Sequence, residues 1–304
     1  MPSSAEYTPL QDSLVTDVAI IGAGYTGLSA ALHLAKLGLN AVVLEARQPG
    51  WGASGRNAGA YLPPGIGKMP DQFTKLCPDD PQRSVDFIVE STRFLPRLIK
   101  DQQIDCDLKE TGYLMVASNE QSLKGFEALA AAWNNAGASF DILDRESLSS
   151  FVASEAYEGA LIFKESGSLN PRQYCQGLAL AAQKNGASIF GGSAVTSIEP
   201  HDGGWLLRTR NASVKTRKVL IATNAYSDDL WPRLANSFVT ITLTMLGSAP
   251  FKDGGKTYLP GGVPMMDDSA TDMFGVNFNS DGRLICSQMT GSGSDGHRRV
   301  ANAY

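Results

Sequence analysis

The sequence predicts an α/β fold in which a Rossmann-like nucleotide-binding domain is interleaved with a β-rich (α+β) domain. The first observation behind this prediction is a βαβ unit near the N-terminus, with an apolar strand at 15–21, a helical pattern at 28–37 and a second strand at 41–44. The second is the alternation of helix and strand patterns through the middle of the chain, followed by strand patterns at 238–246 and 274–286.

The turn of the βαβ unit carries the glycine pattern of a dinucleotide-binding loop. Gly22 permits a tight turn off the strand, Gly24 lets the backbone approach a pyrophosphate, and Gly27 permits close packing of helix on strand. The helix N-terminus beside them favours an anion. Glu45 follows the second strand, where a carboxylate can accept both hydroxyls of an adenosine ribose. The spacing therefore predicts dinucleotide binding.

A second glycine-rich loop follows Glu45 and bears on which dinucleotide is bound. Residues 50–60 read Gly-Trp-Gly-Ala-Ser-Gly-Arg-Asn-Ala-Gly-Ala. Small residues leave backbone amides open to a second phosphate and to a flat ring, and Ser54 adds a hydroxyl donor. The alternative interpretation is an ordinary surface loop in which Arg47 and Arg56 are solvated. A nicotinamide enzyme normally continues from the acid into another strand–helix repeat, which is absent here.

The elements between the loops and the final strands follow from local patterns. A helical stripe at 84–103 contains Pro96, which should kink the helix or start a new turn. Asn170 and Pro171 are typical of a helix start, and that helix is predicted to run to 185–186. The other predicted elements are a strand at 113–117, a helix at 120–136, and strands at 186–199, 205–209 and 219–222.

The two glycine loops and the strand end at 218–226 resemble FAD-dependent oxidoreductases of the D-amino-acid oxidase and glycine oxidase superfamily, in particular its γ-glutamylputrescine oxidoreductase-like branch. The resemblance implies non-covalent FAD, with the pyrophosphate over 22–27, the ribose on Glu45 and the isoalloxazine ring near 57–60. It also implies that Val195 meets the adenine through its backbone and that 222–224 pass close to the cofactor. Relatives tend to read Gly-Gly-Gln where this chain has residues 58–60, so side-chain contacts to the flavin there are not carried over.

The cofactor contacts expected from the motifs and the resemblance lie in four segments. They are Gly22, Ala23, Gly24, Tyr25, Thr26 and Gly27; Glu45, Ala46 and Arg47; Gly52, Ala53, Ser54, Arg56, Asn57, Ala58, Gly59 and Ala60; and Val195 with Thr223.

The predicted domains are discontinuous. Residues 1–104 and 168–226 are assigned to a Rossmann-like FAD-binding domain, and 105–167 and 227–304 to an interleaved β-rich substrate domain. Relatives continue for a further segment on the order of 100 residues, so the substrate domain is expected to be incomplete at its C-terminus. A fragment of a longer protein, a partner chain that completes the flavin site, and a degenerate binding module are all compatible with this expectation.

Composition limits the partners and the compartment. The 304 residues include 31 acidic and 26 basic side chains, for a net charge of −5, and no basic patch with interleaved aromatics occurs, so nucleic acid is not expected as a partner. The first fifteen residues are polar and no long apolar run follows, which predicts a cytoplasmic protein without a transmembrane segment. Cys77, Cys106, Cys175 and Cys286 are far apart, as expected for reduced thiols and no metal site.

No catalytic residue can be named from the sequence. The three histidines, His33, His201 and His297, lie in a helix, a turn and a polar tail, and no Ser-His-Asp or Cys-His grouping is apparent. A flavoenzyme does not need such a group, because the cofactor carries the redox chemistry. Four polar side chains could reach a substrate, although a structural role is the favoured interpretation for each: Tyr113, Tyr226, Tyr258 and Arg283.

The resemblance implies an oxidoreductase whose substrate is an amine or amino acid. Hydride transfer to flavin would give an imine and then a carbonyl product, and oxygen or another acceptor would reoxidise the flavin. An NAD(P)-dependent reductase would use the same βαβ unit but leaves the 47–60 loop unexplained. A catalytically impaired FAD-binding fragment or subunit is the third possibility, and the sequence leaves the particular amine, the electron acceptor and the oligomeric state open.

Overall fold

The computed structural model describes residues 6–63, 65, 67–267 and 274–289. The helices are α1 (Tyr25–Lys36), α2 (Pro81–Asp101), α3 (Glu120–Asn135), α4 (Arg145–Leu148) and α5 (Pro171–Lys184). The strands are β1 (Leu14–Ile21), β2 (Ala41–Leu44), β3 (Ala60–Tyr61), β4 (Tyr113–Ala117), β5 (Phe140–Asp144), β6 (Gly159–Phe163), β7 (Gly167–Ser168), β8 (Ser188–Phe190), β9 (Ser197–His201), β10 (Gly204–Arg208), β11 (Ser213–Ile221), β12 (Leu243–Pro250), β13 (Met265–Asp267), β14 (Phe274–Phe278) and β15 (Arg283–Met289).

The chain divides into two compact units. The first contains the described residues up to Arg56, the segment Gln102–Cys106 and Pro171–Thr240. The second contains Asn57–Asp101, Asp107–Asn170 and the described residues from Ile241 onward. These units differ from the predicted domains mainly at 57–101, which pack within the second unit, and at 227–240, which pack within the first. The assignment of one domain to the cofactor and one to the substrate stays a prediction.

A six-stranded sheet forms the centre of the first unit, in the order β8-β2-β1-β11-β10-β9. The four strands from β8 to β11 are parallel, and β10 and β9 are added antiparallel. All four residues of β2 are buried, as expected for a parallel strand that is covered on both faces. Helix α1 packs on β1 and β2, and α5 packs on α1 and β8. This is the predicted Rossmann-like arrangement, and the α/β fold class is confirmed.

The second unit contains a seven-stranded mixed sheet in the order β12-β15-β14-β13-β4-β6-β5. All five residues of β4 are buried because the sheet is covered on both faces. Tyr113, Met115 and Ala117 face a core that includes α2 and α3, whereas Leu114 and Val116 face a second core around Leu148 and Leu259. The β-rich character predicted for the second domain is confirmed.

Three local predictions are corrected by the structure. The strand predicted at 186–199 is two strands, β8 at Ser188–Phe190 and β9 at Ser197–His201, with residues 191–196 between them outside any strand. Helix α2 does not break at Pro96, because the buried stripe that begins at Val85 and Ile88 continues through Pro96 to Leu98 and stabilises both halves. A kink at Pro96 stays a prediction. The edge strand β12 begins at Leu243, five residues later than the pattern at 238–246 predicts. Within the described residues, no helix is both long enough and apolar enough to cross a membrane.

Substituting Phe163 should destabilise the second unit. Phe163 is 1% exposed, and its ring lies 4.6 Å from that of Phe140 in an edge-on contact. Phe163→Ala is expected to reduce the free energy of unfolding by about 3–5 kcal/mol, because it removes buried area and leaves a cavity. The measurement is urea denaturation. Phe87→Ala is the matched control: Phe87 is 69% exposed, so its loss should stay within about 0.5 kcal/mol. Equal losses would contradict the assignment of Phe163 to the core.

Candidate functional site

The first unit has a cleft of about 340 Å³ at the carboxyl ends of β1, β2 and β11. Crevices at the carboxyl ends of parallel strands are the usual ligand sites of open α/β sheets. The walls of the cleft are the end of β1 and the turn that follows it, the end of β2 and Glu45–Arg47, the loop Trp51–Ser54, the pair Ala194–Val195, and the residues after β11.

The first glycine loop approaches neighbouring atoms closely at each of its three glycines. Gly22 has a φ of +102°, and an ideal Cβ there would lie 2.7 Å from the carbonyl oxygen of Ala222 in the turn after β11. A Cβ on Gly27 would overlap the carbonyl oxygen of Gly22. A Cβ on Gly24 would lie 2.9 Å from Ser54 Oγ. At Gly22 and Gly27 the loop can therefore keep its path against neighbouring backbone only with glycine, whereas at Gly24 a side chain would require Ser54 to move.

The N-terminus of α1 is arranged to receive an anion. Its N-cap is Gly24, which offers no side-chain cap, and the first turn contains no acidic residue. The backbone N–H of Tyr25 donates to Ser54 Oγ at 3.2 Å, which brings the second loop against the first. The positive end of the helix dipole is thus not neutralised by a carboxylate of its own first turn.

Glu45 is held by two backbone amides. Its Oε2 accepts a hydrogen bond from Ala23 N at 2.7 Å, and its Oε1 accepts one from Arg47 N at 2.9 Å. An ionised carboxylate has about four acceptor positions, so each oxygen can still accept a hydroxyl. The same contacts join the end of β2 to the first glycine loop, so Glu45 also shapes the cleft.

The second glycine loop packs against α5. Gly50 N donates to Ala23 O at 3.0 Å, and an ideal Cβ on Gly50 would lie 2.7 Å from Cys175 Cβ. Cys175 is completely buried, and its burial, together with the charge of Glu45, raises the pKa of the thiol to about 12. The thiol therefore acts as a small apolar support for the loop and not as a nucleophile.

Aromatic and cationic side chains form one edge of the cleft. The guanidinium carbons of Arg47 and Arg56 lie 5.2 Å and 4.6 Å from the ring centroid of Trp51. Arg56 Nη2 donates to Tyr226 Oη at 3.0 Å, and the rings of Tyr226 and Trp51 are 6.0 Å apart. The second loop is therefore joined to the turn after β11 across this edge.

The cleft brings together most of the predicted cofactor residues of the first unit. Those that line it are Gly22, Ala23, Gly24, Glu45, Ala46, Arg47, Gly52, Ala53, Ser54, Val195 and Thr223. Tyr25, Thr26 and Gly27 begin α1 and do not line the cleft, and Arg56 lines a neighbouring cavity. Contact of each residue with FAD stays a prediction.

The other predicted segment, Asn57–Ala60, belongs to the second unit. Asn57 Oδ1 accepts from Gly59 N at 2.8 Å, and Asn277 Nδ2 donates to the Ala58 carbonyl at 3.4 Å. Ala60 lies in β3 and pairs with Ser168 in β7. These contacts fix the backbone of the segment without using a side chain of 58–60.

Sequence reasoning missed several residues of the cleft. Ala194, Asp228 and Leu230 line it, although none belongs to a nucleotide-binding pattern. Tyr226, one of the four polar side chains that could reach a substrate, also lines this cleft. Asp228 and Leu230 follow the short helical turn at Asn224–Tyr226. No spacing in the sequence indicates that the chain passes the cleft again after this turn.

The remaining candidate residues have structural contacts. Tyr113 is buried and donates to the Met265 carbonyl at 3.2 Å, and burial raises the pKa of its hydroxyl. The ring of Tyr258 packs on Phe251, and Arg283 donates to the Ser248 carbonyl at 3.0 Å. None of these three lines the cleft.

The two described histidines give no candidate base. His33 Nδ1 lies 2.8 Å from the Ser29 carbonyl on α1, and His201 ends β9 with Nε2 3.0 Å from Asp202. His297 lies outside the described residues. Across the described part of the chain, no group of three or more His, Cys, Asp and Glu side chains could hold a metal ion.

The residues of the cleft fit the adenosine and pyrophosphate parts of FAD. The glycines leave space that a Cβ would fill, the helix N-terminus has no side-chain cap from its own N-cap residue and suits a diphosphate, and Glu45 retains acceptor capacity for ribose hydroxyls. Ile21, Leu44 and Val195 provide an apolar wall beside these polar groups.

Comparison with known proteins agrees with this fit. The model of the family "DAO: FAD dependent oxidoreductase" matches residues 17–300. Gamma-glutamylputrescine oxidoreductase from Escherichia coli (strain K12) is 37% identical over 239 residues, which are 77% of this chain and 55% of that protein. Probable oxidoreductase OrdL from Haemophilus influenzae is 34% identical over 228 residues, covering 74% of this chain and 52% of that protein. The chain thus spans about half the length of these curated relatives.

Solved structures share the fold. Glycine oxidase from Geobacillus kaustophilus superimposes with a TM-score of 0.68 at 21% identity, covering 90% of this chain and 70% of that chain. At this identity the likeness shows the fold alone.

Removing the Glu45 carboxylate should weaken FAD binding. Hydrogen bonds to a charged group contribute roughly 1.5–3 kcal/mol, so Glu45→Ala should weaken FAD affinity about 10- to 150-fold in a titration of the FAD-free protein. Gly24→Val should weaken it further, because the side chain would collide with Ser54 and occupy the space that Gly24 leaves open. Glu199→Ala removes an equal charge from β9 and should leave the affinity unchanged. Unchanged affinity in Glu45→Ala would place the ribose elsewhere.

Thiol labelling should distinguish the cysteines. Cys106, Cys175 and Cys286 are buried, whereas Cys77 is partly exposed. A thiol-disulfide reagent at pH 8 should therefore label Cys77 first in the folded protein and the other three only after denaturation. Cys175 should be the least reactive of all because its raised pKa, about 12, keeps it protonated at pH 8. Rapid labelling of Cys175 in the native state would show that the second loop does not cover it.

Proposed function

Because the chain belongs to the DAO family of FAD-dependent oxidoreductases, we propose that it oxidises a primary or secondary amine or an amino acid. The observation that carries the cofactor part of this proposal is the geometry of Glu45, whose carboxylate is held by Ala23 N and Arg47 N in a cleft lined by two glycine loops. A cleft of this form suits an adenine dinucleotide, and in this family the dinucleotide is FAD.

The substrate class in this proposal rests on the relatives. One is named for the oxidation of γ-glutamylputrescine, which is an amine, and a protein of the same fold is named for the oxidation of glycine, which is an amino acid. The sequence shows no Ser-His-Asp or Cys-His grouping that would suggest hydrolytic chemistry instead.

The chain's own residues bind and orient the cofactor in this proposal. Glu45 accepts the ribose hydroxyls, and the N-terminus of α1 with Ser54 holds the pyrophosphate. The backbone of Asn57–Ala60, fixed by its contacts with Asn277 and β7, is assigned to the flavin ring. Ile21, Leu44 and Val195 exclude water from the adenosine end.

Bound FAD would supply a hydride acceptor, so that an amine loses a hydride and a proton to become an imine, which water hydrolyses to a carbonyl compound and ammonia or a smaller amine. An amine must be neutral to lose hydride in this way. Because no protein base is assigned in this proposal, the substrate's own deprotonation should set the acidic limb of the pH–rate profile.

The proposal predicts that the purified protein is yellow because it contains FAD, and that amines reduce this flavin. Heat-denatured protein should release a flavin with the chromatographic mobility of FAD and not of FMN. Mixed anaerobically with a panel of amines and amino acids, the purified protein should lose its flavin absorbance with at least one compound and recover it when oxygen or another acceptor is added.

Two results would contradict the proposal. Stoichiometric NAD in place of flavin would mean that the family's cofactor is not used here. Loss of flavin absorbance with NADPH and with none of the amines would indicate a reductase or monooxygenase. Glu45→Ala, reconstituted at saturating FAD, is the matched control, because its reduction by a given amine should be retained while its affinity for FAD falls.

A further inference from the structure

Strand β12 lies at one edge of the seven-stranded sheet in the second unit. Within the described residues it pairs with β15 alone, so its other side has no neighbouring strand there. An edge strand of this kind directs alternate backbone N–H and C=O groups away from its neighbour, and those groups can pair with a strand of another chain. Neither the cofactor cleft nor the proposed oxidation uses this edge.

The sequence around β12 has few of the features that usually prevent such pairing. Natural sheets guard their edges with charged side chains, internal prolines or very short strands. No charged residue occurs between Arg233 and Lys252, and β12 contains 8 residues. Its single proline, Pro250, is the last of them. Most of this edge is therefore compatible with pairing to another strand.

The other edges of the two large sheets do have such features. β5, at the opposite edge of the same sheet, contains Asp141 and Asp144. In the sheet of the first unit, the edge strand β9 contains Glu199 and Pro200, and the edge strand β8 has only 3 residues. In the described part of the chain, β12 is therefore the one edge of these sheets that is both long and uncharged.

The N-terminal part of this edge exposes apolar side chains. Ile241, just before the strand, is 61% exposed, and Leu243 within it is 58% exposed. Leu246 is also exposed, and it faces the opposite side of the sheet from Leu243 because successive side chains of a strand alternate. A second apolar strand at this edge would remove parts of these side chains from water and so stabilise the pairing.

The C-terminal end of β12 is unsuited to pairing. Its register with β15 shifts between Gly247 and Pro250, and the Ser248 carbonyl accepts a hydrogen bond from Arg283 at 3.0 Å. Pro250 has no N–H to donate. Pairing with a further strand is therefore confined to residues 241–247.

We propose that β12 is a self-association surface, at which residues 241–247 of two copies of this chain pair as antiparallel strands. A two-fold arrangement brings the same segment of both copies together. Like charges opposite one another would destabilise such a pair, and residues 241–247 include no charged side chain. A second copy therefore supplies a strand with the apolar, uncharged character that this edge requires. The surface does not depend on the proposed amine oxidation.

The expected product is a weak dimer. Stable protein interfaces bury about 1,200–2,000 Å² in total, which is more than one pair of short strands provides, so association should depend on protein concentration. Association should also stop at the dimer, because the two-fold pairing uses the β12 edge of both copies and the opposite edge of the sheet, β5, contains carboxylates.

The test is sedimentation velocity of the FAD-saturated full chain at increasing protein concentration. The average sedimentation coefficient should rise from the value of a monomer towards that of a dimer. Each copy has a net charge of −5, and added sodium chloride screens the repulsion between the two copies. Dimerisation should therefore be retained or strengthened at high salt, whereas association through ion pairs would weaken.

Leu243→Lys introduces a charge at the edge of both copies and removes apolar contact, so it should weaken the dimer about tenfold or more. Leu76→Lys is the matched control: Leu76 is 73% exposed, lies in the same unit and receives the same charge. Its dimer should dissociate at the concentration found for the unmodified protein. Because both leucines are exposed, the melting temperature of each variant at low protein concentration should stay close to that of the unmodified protein.

Hydrogen exchange of the unmodified protein tests the same surface without a substitution. Backbone amides of 241–247 should exchange more slowly at high protein concentration than at low concentration, because pairing occupies them. Amides of the turn at 209–212, between β10 and β11, are the control and should exchange at the same rate at both concentrations.

Four results would overturn the proposal. The first is a monomer at every concentration, and the second is association that high salt abolishes. The third is an equal weakening of the dimer in Leu243→Lys and Leu76→Lys, which would place the contact elsewhere. The fourth is slow exchange at 241–247 that does not change with concentration, which would mean that another segment of the same chain covers the edge. A dimer with concentration-dependent protection at 241–247 and a selective loss in Leu243→Lys supports the proposal.

Discussion

The close approach of Gly27 to the carbonyl of Gly22 is the constraint on which the cofactor end of the first unit depends. A single Cβ at position 27 would overlap that oxygen. Because the two glycines touch, α1 begins directly above the end of β1, and its positive terminus opens at the same edge of the sheet as β2 and β11. Glu45 can then reach Ala23 N, and the second loop can reach Tyr25 N. Each later feature of the cleft uses a position that this contact sets.

Backbone groups form most of the cleft, and a few side chains add hydrogen-bonding groups and charge. The glycines contribute amides and space, whereas Glu45, Ser54 and Arg47 contribute directed acceptors, donors and charge. Since two backbone amides hold the Glu45 carboxylate, little side-chain entropy remains to be lost when it binds a ribose. The opposite arrangement holds in the second unit, where side chains of alternating orientation fill two cores around β4.

Features that depend on neighbours in the chain could be predicted from the sequence, and features that depend on distant partners could not. Gly22, Gly24 and Glu45 were identifiable because a strand, a turn and a helix within thirty residues impose their roles. Strands β5 and β6 had no such signal, since they are stabilised by pairing in a sheet assembled from remote segments. The helix through Pro96 shows tertiary burial outweighing a local breaker. Asp228 and Leu230 reach the cleft only because β11 returns beside β1.

The return of β11 also has a consequence for biosynthesis. β1 lies between β2 and β11, and its pairing with β11 places Leu14 beside Val214, which is 200 residues later in the chain. At typical elongation rates of roughly 5–20 residues per second, the ribosome needs on the order of 10–40 s to supply that partner. During this interval one edge of an apolar strand stays unpaired, which is the condition that chaperones recognise. A nascent chain of this architecture is therefore expected to bind chaperones during most of its synthesis, before it can bind a nucleotide.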